Sequence, residues 1–244
     1  MNFIEHIHEP KRLLLVWQAA ELPRTRRAVA ELVQPAAASS RVMFRYLIDT
    51  ADFQLAQQEG FVAFPAFRKT DQSYDLGVIE TFARRLPPRT RGDYSQYLEQ
   101  FRLRSDTSIT DMALLGYTGA KLPSDGFSIL DPLEDVLKPC EMMIEVAGFR
   151  HTATISRDQL AIGSRAALRE EPDNPYDANA LAVYLGEQRI GHVPRQQATA
   201  LRALMRNNAL EMMIERINGQ PERPLVYLFA RIRPHAISSE LRRG

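Results

Sequence analysis

The stretch Arg169-Glu170-Glu171-Pro172-Asp173-Asn174-Pro175-Tyr176-Asp177-Ala178-Asn179-Ala180 is a polar turn stiffened by prolines. It sets an aromatic beside a carboxylate and then enters the apolar run Leu181-Ala182-Val183-Tyr184-Leu185. Pro172 and Pro175 fix φ and push the residue before each out of the α region, so the loop has few shapes open to it. Asp173, Asn174 and Asp177 can bond nearby backbone, or receive a hydroxyl or amide from a bound molecule. Beyond the strand, Ile190-Gly191-His192-Val193-Pro194-Arg195 leads into a helical pattern. A rigid polar loop on a sheet edge suits recognition better than chemistry.

Outward from this loop, the alternation of apolar residues marks strand candidates at Met142–Ala147, His151–Ile155, Ala166–Arg169, Ala180–Leu185, Arg189–Val193 and Leu225–Ile232. Residues Arg195 to Asn208 read as the clearest helix, with Ala198, Leu201, Leu204 and Met205 as its buried stripe. Several short strands with one helix suggest a small barrel of the OB or SH3 kind.

The first half of the chain is a different mixture. Arg12–Trp17 is strand-like, and Ala19 to Leu32 reads as a helix carrying Pro23 early, where proline is tolerated. Pro35–Ser40 is a loop, Val42–Ile48 alternates as a strand, and Ala51–Glu59 is helical up to Gly60. Asp93 is placed as N-cap of a helix whose Tyr94, Tyr97, Leu98 and Phe101 share a face. Ser108 or Thr110 opens another short helix, followed by a turn-rich loop from Gly116 to Gly126. Ile129–Pro139 reads as a linker bounded by prolines. The expected architecture is therefore α+β: a mixed strand/helix domain over residues 1–135, then a small β-barrel with one or two helices over 141–238.

Bulk composition narrows the partners. With 45% hydrophobic and 25% charged residues, the 244-residue chain has the make-up of a globular protein. No apolar run reaches bilayer length and the start lacks a secretory pattern, so the expectation is a bacterial-style cytoplasmic protein with no membrane contact. Cys140 is the single cysteine, which excludes an intrachain disulfide and a thiolate metal cluster. A net charge of +1 argues against coating nucleic acid by bulk electrostatics. From Glu141 onward there are fourteen Arg, no Lys and twelve acidic residues. Any phosphate contact is expected to be short and local.

The strand, glycine and arginine of Ile144-Glu145-Val146-Ala147-Gly148-Phe149-Arg150-His151, the Glu-Pro-Asp-Asn-Pro-Tyr-Asp loop and Gly191-His192-Val193-Pro194-Arg195 together resemble the HIRAN family. That resemblance implies a small barrel that holds the 3′ end of single-stranded DNA between aromatic faces, with an acid meeting the terminal hydroxyl. Carried over, Arg150 would hold phosphate, His151 and Tyr176 would stack on bases, and Asp177 would accept the hydroxyl proton. Arg195 would reach the backbone and Asn174 would lie in the same interface. His151-Thr152 stand where the family commonly has two tyrosines, which reduces the stacking surface. Each position also has a purely structural reading. Tyr176 could cover the barrel end, Asp177 could cap the Ala178-Asn179 turn, Arg150 could be solvated or ion-paired, and Arg195 could serve only its own helix. Asn174 could be a turn former.

The first segment more loosely resembles the N-terminal subdomain of HipA-type proteins, on Arg84-Arg85-Leu86-Pro87-Pro88 and Leu114-Leu115-Gly116-Tyr117-Thr118-Gly119-Ala120. This implies an alternative in which that segment docks a partner protein. The kinase core of that family is absent from the sequence, so phosphotransfer is not implied.

No enzyme or cofactor motif stands out. His6-Ile7-His8 is the one metal-like spacing, at an end expected to fray. Glu170-Glu171 and Glu134-Asp135 are neighbours on the chain and should point apart rather than form a catalytic pair. There is no nucleophile elbow and no phosphate-binding glycine loop. The expectation is a binding protein with no catalytic residue, cofactor or metal.

Overall fold

The computed structural model describes residues 1–21, 24–35, 41–122, 124–207, 209–220 and 223–234. Expectations placed on Leu22, Pro23, Ala36–Ser40, Pro123 and Asn208 therefore lie outside the described residues. Two compact units divide the chain: Glu9–Asp135, and a second that joins Met1–His8 to Val136 onward. The first eight residues thus depart from the expected 1–135 grouping.

In the Glu9–Asp135 unit, β1 (Arg12–Gln18), β2 (Arg26–Val33), β3 (Met43–Tyr46) and β4 (Phe127–Leu130) form an antiparallel sheet in the order β3-β2-β1-β4. β2 corrects the helix expected over Ala19–Leu32. Its residues Ala28 to Leu32 are all buried and β1 and β3 pair with its two edges, and strand pairing outweighs the helix preference of alanine, a matter of tenths of a kcal/mol per residue. Glu31 sits in that buried run at 2% exposure, opposite Arg45 in the register and bonded to both Arg45 and Arg12. β4 likewise replaces the start of the expected linker, pairing Leu130 with Leu14.

Helices α1 (Ala51–Gln58), α2 (Val78–Ala83), α3 (Tyr94–Gln100) and α4 (Asp111–Thr118) complete this unit. Thr110 caps α4 by accepting from the Ala113 N–H, and α4 takes up the start of the expected Gly116–Gly126 loop before ending at Gly119. Asp93 precedes α3 as expected but makes no capping bond; its carboxylate pairs with Arg91. An aromatic core fills the unit, with Phe44 stacked on Phe67 and Phe64 on Phe82. Inside it the Tyr46 hydroxyl donates to the Phe67 carbonyl and accepts from the Phe64 N–H, and burial pushes its pKa up to about 12.

The second unit is built on six antiparallel strands: β5 (Cys140–Glu145), β6 (Arg165–Glu170), β7 (Leu181–Leu185), β8 (Gln188–His192), β9 (Leu210–Gln220) and β10 (Arg223–Ile232). Their order is β5-β10-β9-β6-β7-β8. The sheet curls into a half-barrel rather than a fully paired small barrel. Its two edges meet just beyond β5, where Ala147 and His192 exchange backbone hydrogen bonds of 2.7 and 2.9 Å. Cys140, Met142 and Ile144 alternate inward on β5, facing the same core as Met212, Ile214, Leu228 and Ala230. β9 was missed in the sequence. Helix α6 (Arg195–Arg206) packs on β7 and β9, burying Gln197, Ala198 and Leu201, while Leu204 and Met205 of the expected stripe are half-buried.

The strand expected at His151–Ile155 is instead α5, a single helical turn over Phe149–Thr152. Gly148 at φ +73° breaks the extended path, a conformation glycine adopts at little cost, and Thr152 folds back to donate its hydroxyl to the Gly148 carbonyl. Met1–His8 is not a frayed end. The Glu5 and His6 N–H groups both donate to the Glu141 carboxylate of β5. Among the described residues no helix is long and apolar enough to cross a membrane.

Candidate functional site

The site begins where β6 ends. Successive side chains on a strand point to opposite faces, and Glu170 and Glu171 part accordingly. Glu170 turns to α6, pairing with Arg206 through two bonds of 2.9 Å and with Arg202 at 3.4 Å. Glu171 turns to β8. One carboxylate oxygen accepts from Arg189 Nη1 at 3.0 Å, and the other meets His192 Nε2 at 2.8 Å and Asn174 Nδ2 at 3.0 Å. Partial burial by itself would raise the Glu171 pKa. The donors His192, Asn174 and Arg189 outweigh it and hold the group down at about 2.

The loop beyond is folded by its own polar side chains. Asn174 Oδ1 accepts the N–H groups of Tyr176 and Asp177, and Asp177 Oδ1 accepts the Asn179 N–H at 2.9 Å. The turn-forming readings of Asn174 and Asp177 are thus both realised. The second Asp177 oxygen lies 3.4 Å from Arg195 Nε, at the first residue of α6. Each carboxylate oxygen has two lone pairs, so Asp177 keeps acceptor capacity for a further donor. The loop is clamped on one flank by β8 and on the other by α6.

A second segment, about 37 residues earlier in the chain, reaches the same strand. Arg189 Nε donates to the Thr152 carbonyl at 3.0 Å, and the Arg189 carbonyl accepts from the Thr154 N–H at 2.8 Å. This sets the α5 turn, with Arg150 and His151 exposed, along β8. Gly191 makes the approach possible. A Cβ there would lie 2.5 Å from the Ala147 carbonyl oxygen and 2.5 Å from Val146 Cγ1.

Of the predicted residues, Tyr176 is 94% exposed, so it does not cover the barrel end. Among the described residues the side chains of Arg150, His151 and Tyr176 make no hydrogen bond, ion pair or ring contact. Asp177 and Asn174 are half-buried and engaged, and Arg195 pairs with Asp177. Sequence reasoning weighed Glu171 only as a chain neighbour of Glu170, placed Arg189 only at the start of a strand, and named His192 only as part of a turn. Their meeting depends on the β7–β8 register, which sets His192 opposite Ala182 and Arg189 opposite Tyr184. No local pattern carries that pairing. Tyr176 and His151 offer rings and Arg150 a guanidinium to solvent, and Asp177 offers a carboxylate oriented by its own loop.

Residues 141–232 match the family model described as the HIRAN domain. Over 93 residues the chain is 30% identical to Helicase-like transcription factor from Mus musculus, a match covering 37% of this chain and 9% of that protein. The chain therefore spans under a tenth of that relative's length. Among solved structures, the HIRAN domain of human HLTF is 22% identical with a TM-score of 0.30, covering 39% of this chain and 78% of its own. A Lactobacillus plantarum protein is 23% identical with a TM-score of 0.31, covering 38% of this chain and 98% of its own.

Proposed function

We propose that the C-terminal unit is a non-catalytic DNA-binding module that takes the free 3′ end of a single strand at the loop beside β8. The family match and the transcription-factor name of the mouse relative support DNA as the partner. The observation that carries the reading is the pairing of an almost fully exposed Tyr176 with the half-buried, oriented carboxylate of Asp177 on one rigid turn. A flat ring in water offers a base a stacking face, and stacking contributes about 1–3 kcal/mol per base. The adjacent acid can accept a terminal hydroxyl that is esterified, and hence silent, in a continuing strand. Arg150 supplies a cation for phosphate and His151 a second, smaller face.

Fluorescence anisotropy tests this with short labelled oligonucleotides ending in a 3′-hydroxyl or a 3′-phosphate. The hydroxyl end should bind more tightly, and Asp177→Ala should remove the preference. Equal binding of both ends by the unaltered protein overturns 3′-end recognition, and no binding of either overturns the DNA reading.

A further inference from the structure

We infer that Glu171 is the positioning residue of this site, holding the Tyr176–Asp177 loop and the Arg150–His151 turn in one fixed arrangement. The inference rests on the DNA-end reading for its purpose, though not for its geometry. A continuous path of hydrogen bonds joins the two segments. The Tyr176 and Asp177 N–H groups bond Asn174 Oδ1, and Asn174 Nδ2 bonds Glu171. Glu171 then bonds Arg189 Nη1, and Arg189 Nε bonds the Thr152 carbonyl, the last residue of the α5 turn. Every link is between 3.0 and 3.2 Å. The Glu171 side chain is only 18% exposed, so it is shielded from water, whereas Tyr176, Arg150 and His151 stand in solvent. His192, whose backbone closes the half-barrel edge, bonds the same carboxylate and ties the path to the sheet.

An anion meeting three donors from two elements is a hub that a neutral side chain cannot reproduce. An amide of the same shape offers one acceptor oxygen and places an N–H against donors. Two loops that must grip one strand end from different sides need such a hub, because a misplacement of about 1 Å in a binding group is costly. The separation of the segments in sequence, with Thr152 on one and Glu171 on the other, means that neither loop can hold the other through local contacts.

The test uses the full chain with Glu171→Gln, Arg189→Lys and Asn174→Ala, reading backbone amide exchange in peptides over residues 148–154 and 171–180. Glu171→Gln should speed exchange in both segments, although only one carries the change. Arg189→Lys should release 148–154 alone, and Asn174→Ala 171–180 alone. In anisotropy, Glu171→Gln should bring the ratio of 3′-hydroxyl to 3′-phosphate affinity towards one. Exchange at wild-type rate in 148–154 for both Glu171→Gln and Arg189→Lys would sink the inference. So would a preserved end preference with uniformly weaker binding, which marks Glu171 as structural only. Should Glu171→Gln fail to fold, the opposite responses of the other two variants decide. If the unaltered protein ignores the 3′ end, the DNA reading falls while the exchange data still judge the coupling.

Discussion

Asn2 and Glu215, 213 positions apart, are joined by two hydrogen bonds, from the Asn2 N–H to Oε1 at 3.1 Å and from Nδ2 to Oε2 at 2.6 Å. Glu215 is the extra residue of a bulge, since Tyr227 pairs with Arg216 and Leu228 with Ile214. It is 3% exposed, and Asn2 also accepts from Arg231 of β10. The opening residues therefore belong energetically to the half-barrel.

Asn2→Ala removes a donor from a buried carboxylate, a loss that typically costs about 1–3 kcal/mol. The expected outcome is a lowered free energy of opening for β9 and β10, measured by hydrogen exchange in the native protein. Protection in the Glu9–Asp135 unit should stay as it is. Unchanged protection in β9 would show that the opening segment adds nothing to the sheet.

Gly191→Ala should be among the most damaging single changes. Its φ of +144° is poorly tolerated by an L side chain, and the new methyl would press on backbone at Ala147. We expect loss of the Ala147–His192 bridge and destabilisation of the second unit by about 1–3 kcal/mol or more. Denaturant titration followed by exchange in peptides from each unit checks this: the aromatic core around Phe44 should remain protected.

Much of this architecture was legible because its signals are local. Prolines and Asx residues announced the 172–179 turn, and the amphipathic pattern from Arg195 announced α6. What escaped depends on partners distant in sequence. β2 looks helical until β1 and β3 pair with both its edges. α5 looks like a strand until Gly148 turns the chain. Arg150, His151 and Tyr176 could be picked out from sequence as candidates, but the cluster around Glu171 could not. Glu171 gains its meaning only when the β7–β8 register brings Arg189 and His192 to it.

The depressed pKa of Glu171 gives a pH prediction of definite sign. The group ionises near 4.5 in the unfolded chain and at about 2 in the folded one. Between these values the unfolded state binds a proton that the folded state does not, so stability rises with pH there. The stabilisation is complete above the unfolded value and is lost as pH falls towards the folded one. Denaturation midpoints from pH 6 downward, compared between the unaltered protein and Glu171→Gln, should converge as acid is added. A constant gap over this window would contradict the shifted ionisation.

Binding should depend on rings more than on charge. Around the loop, Arg169 pairs with Glu187, Arg206 with Glu170, Arg189 with Glu171 and Arg195 with Asp177, so these four are already engaged, while the exposed Arg150 side chain has no such partner among the described residues. Each phosphate neutralised on a single strand adds about 0.7 to the slope of log affinity against log salt. The slope should therefore correspond to only a few phosphates, and Arg150→Ala should reduce it by about one such step. Tyr176→Ala should leave that slope and the thermal midpoint unchanged, because the ring is almost wholly in solvent. Its affinity should nevertheless fall by the equivalent of about 1–3 kcal/mol, the contribution of one stacked base. Anisotropy titrations at several salt concentrations separate the two effects. A slope that drops with Tyr176→Ala but not with Arg150→Ala would assign the two residues the wrong way round.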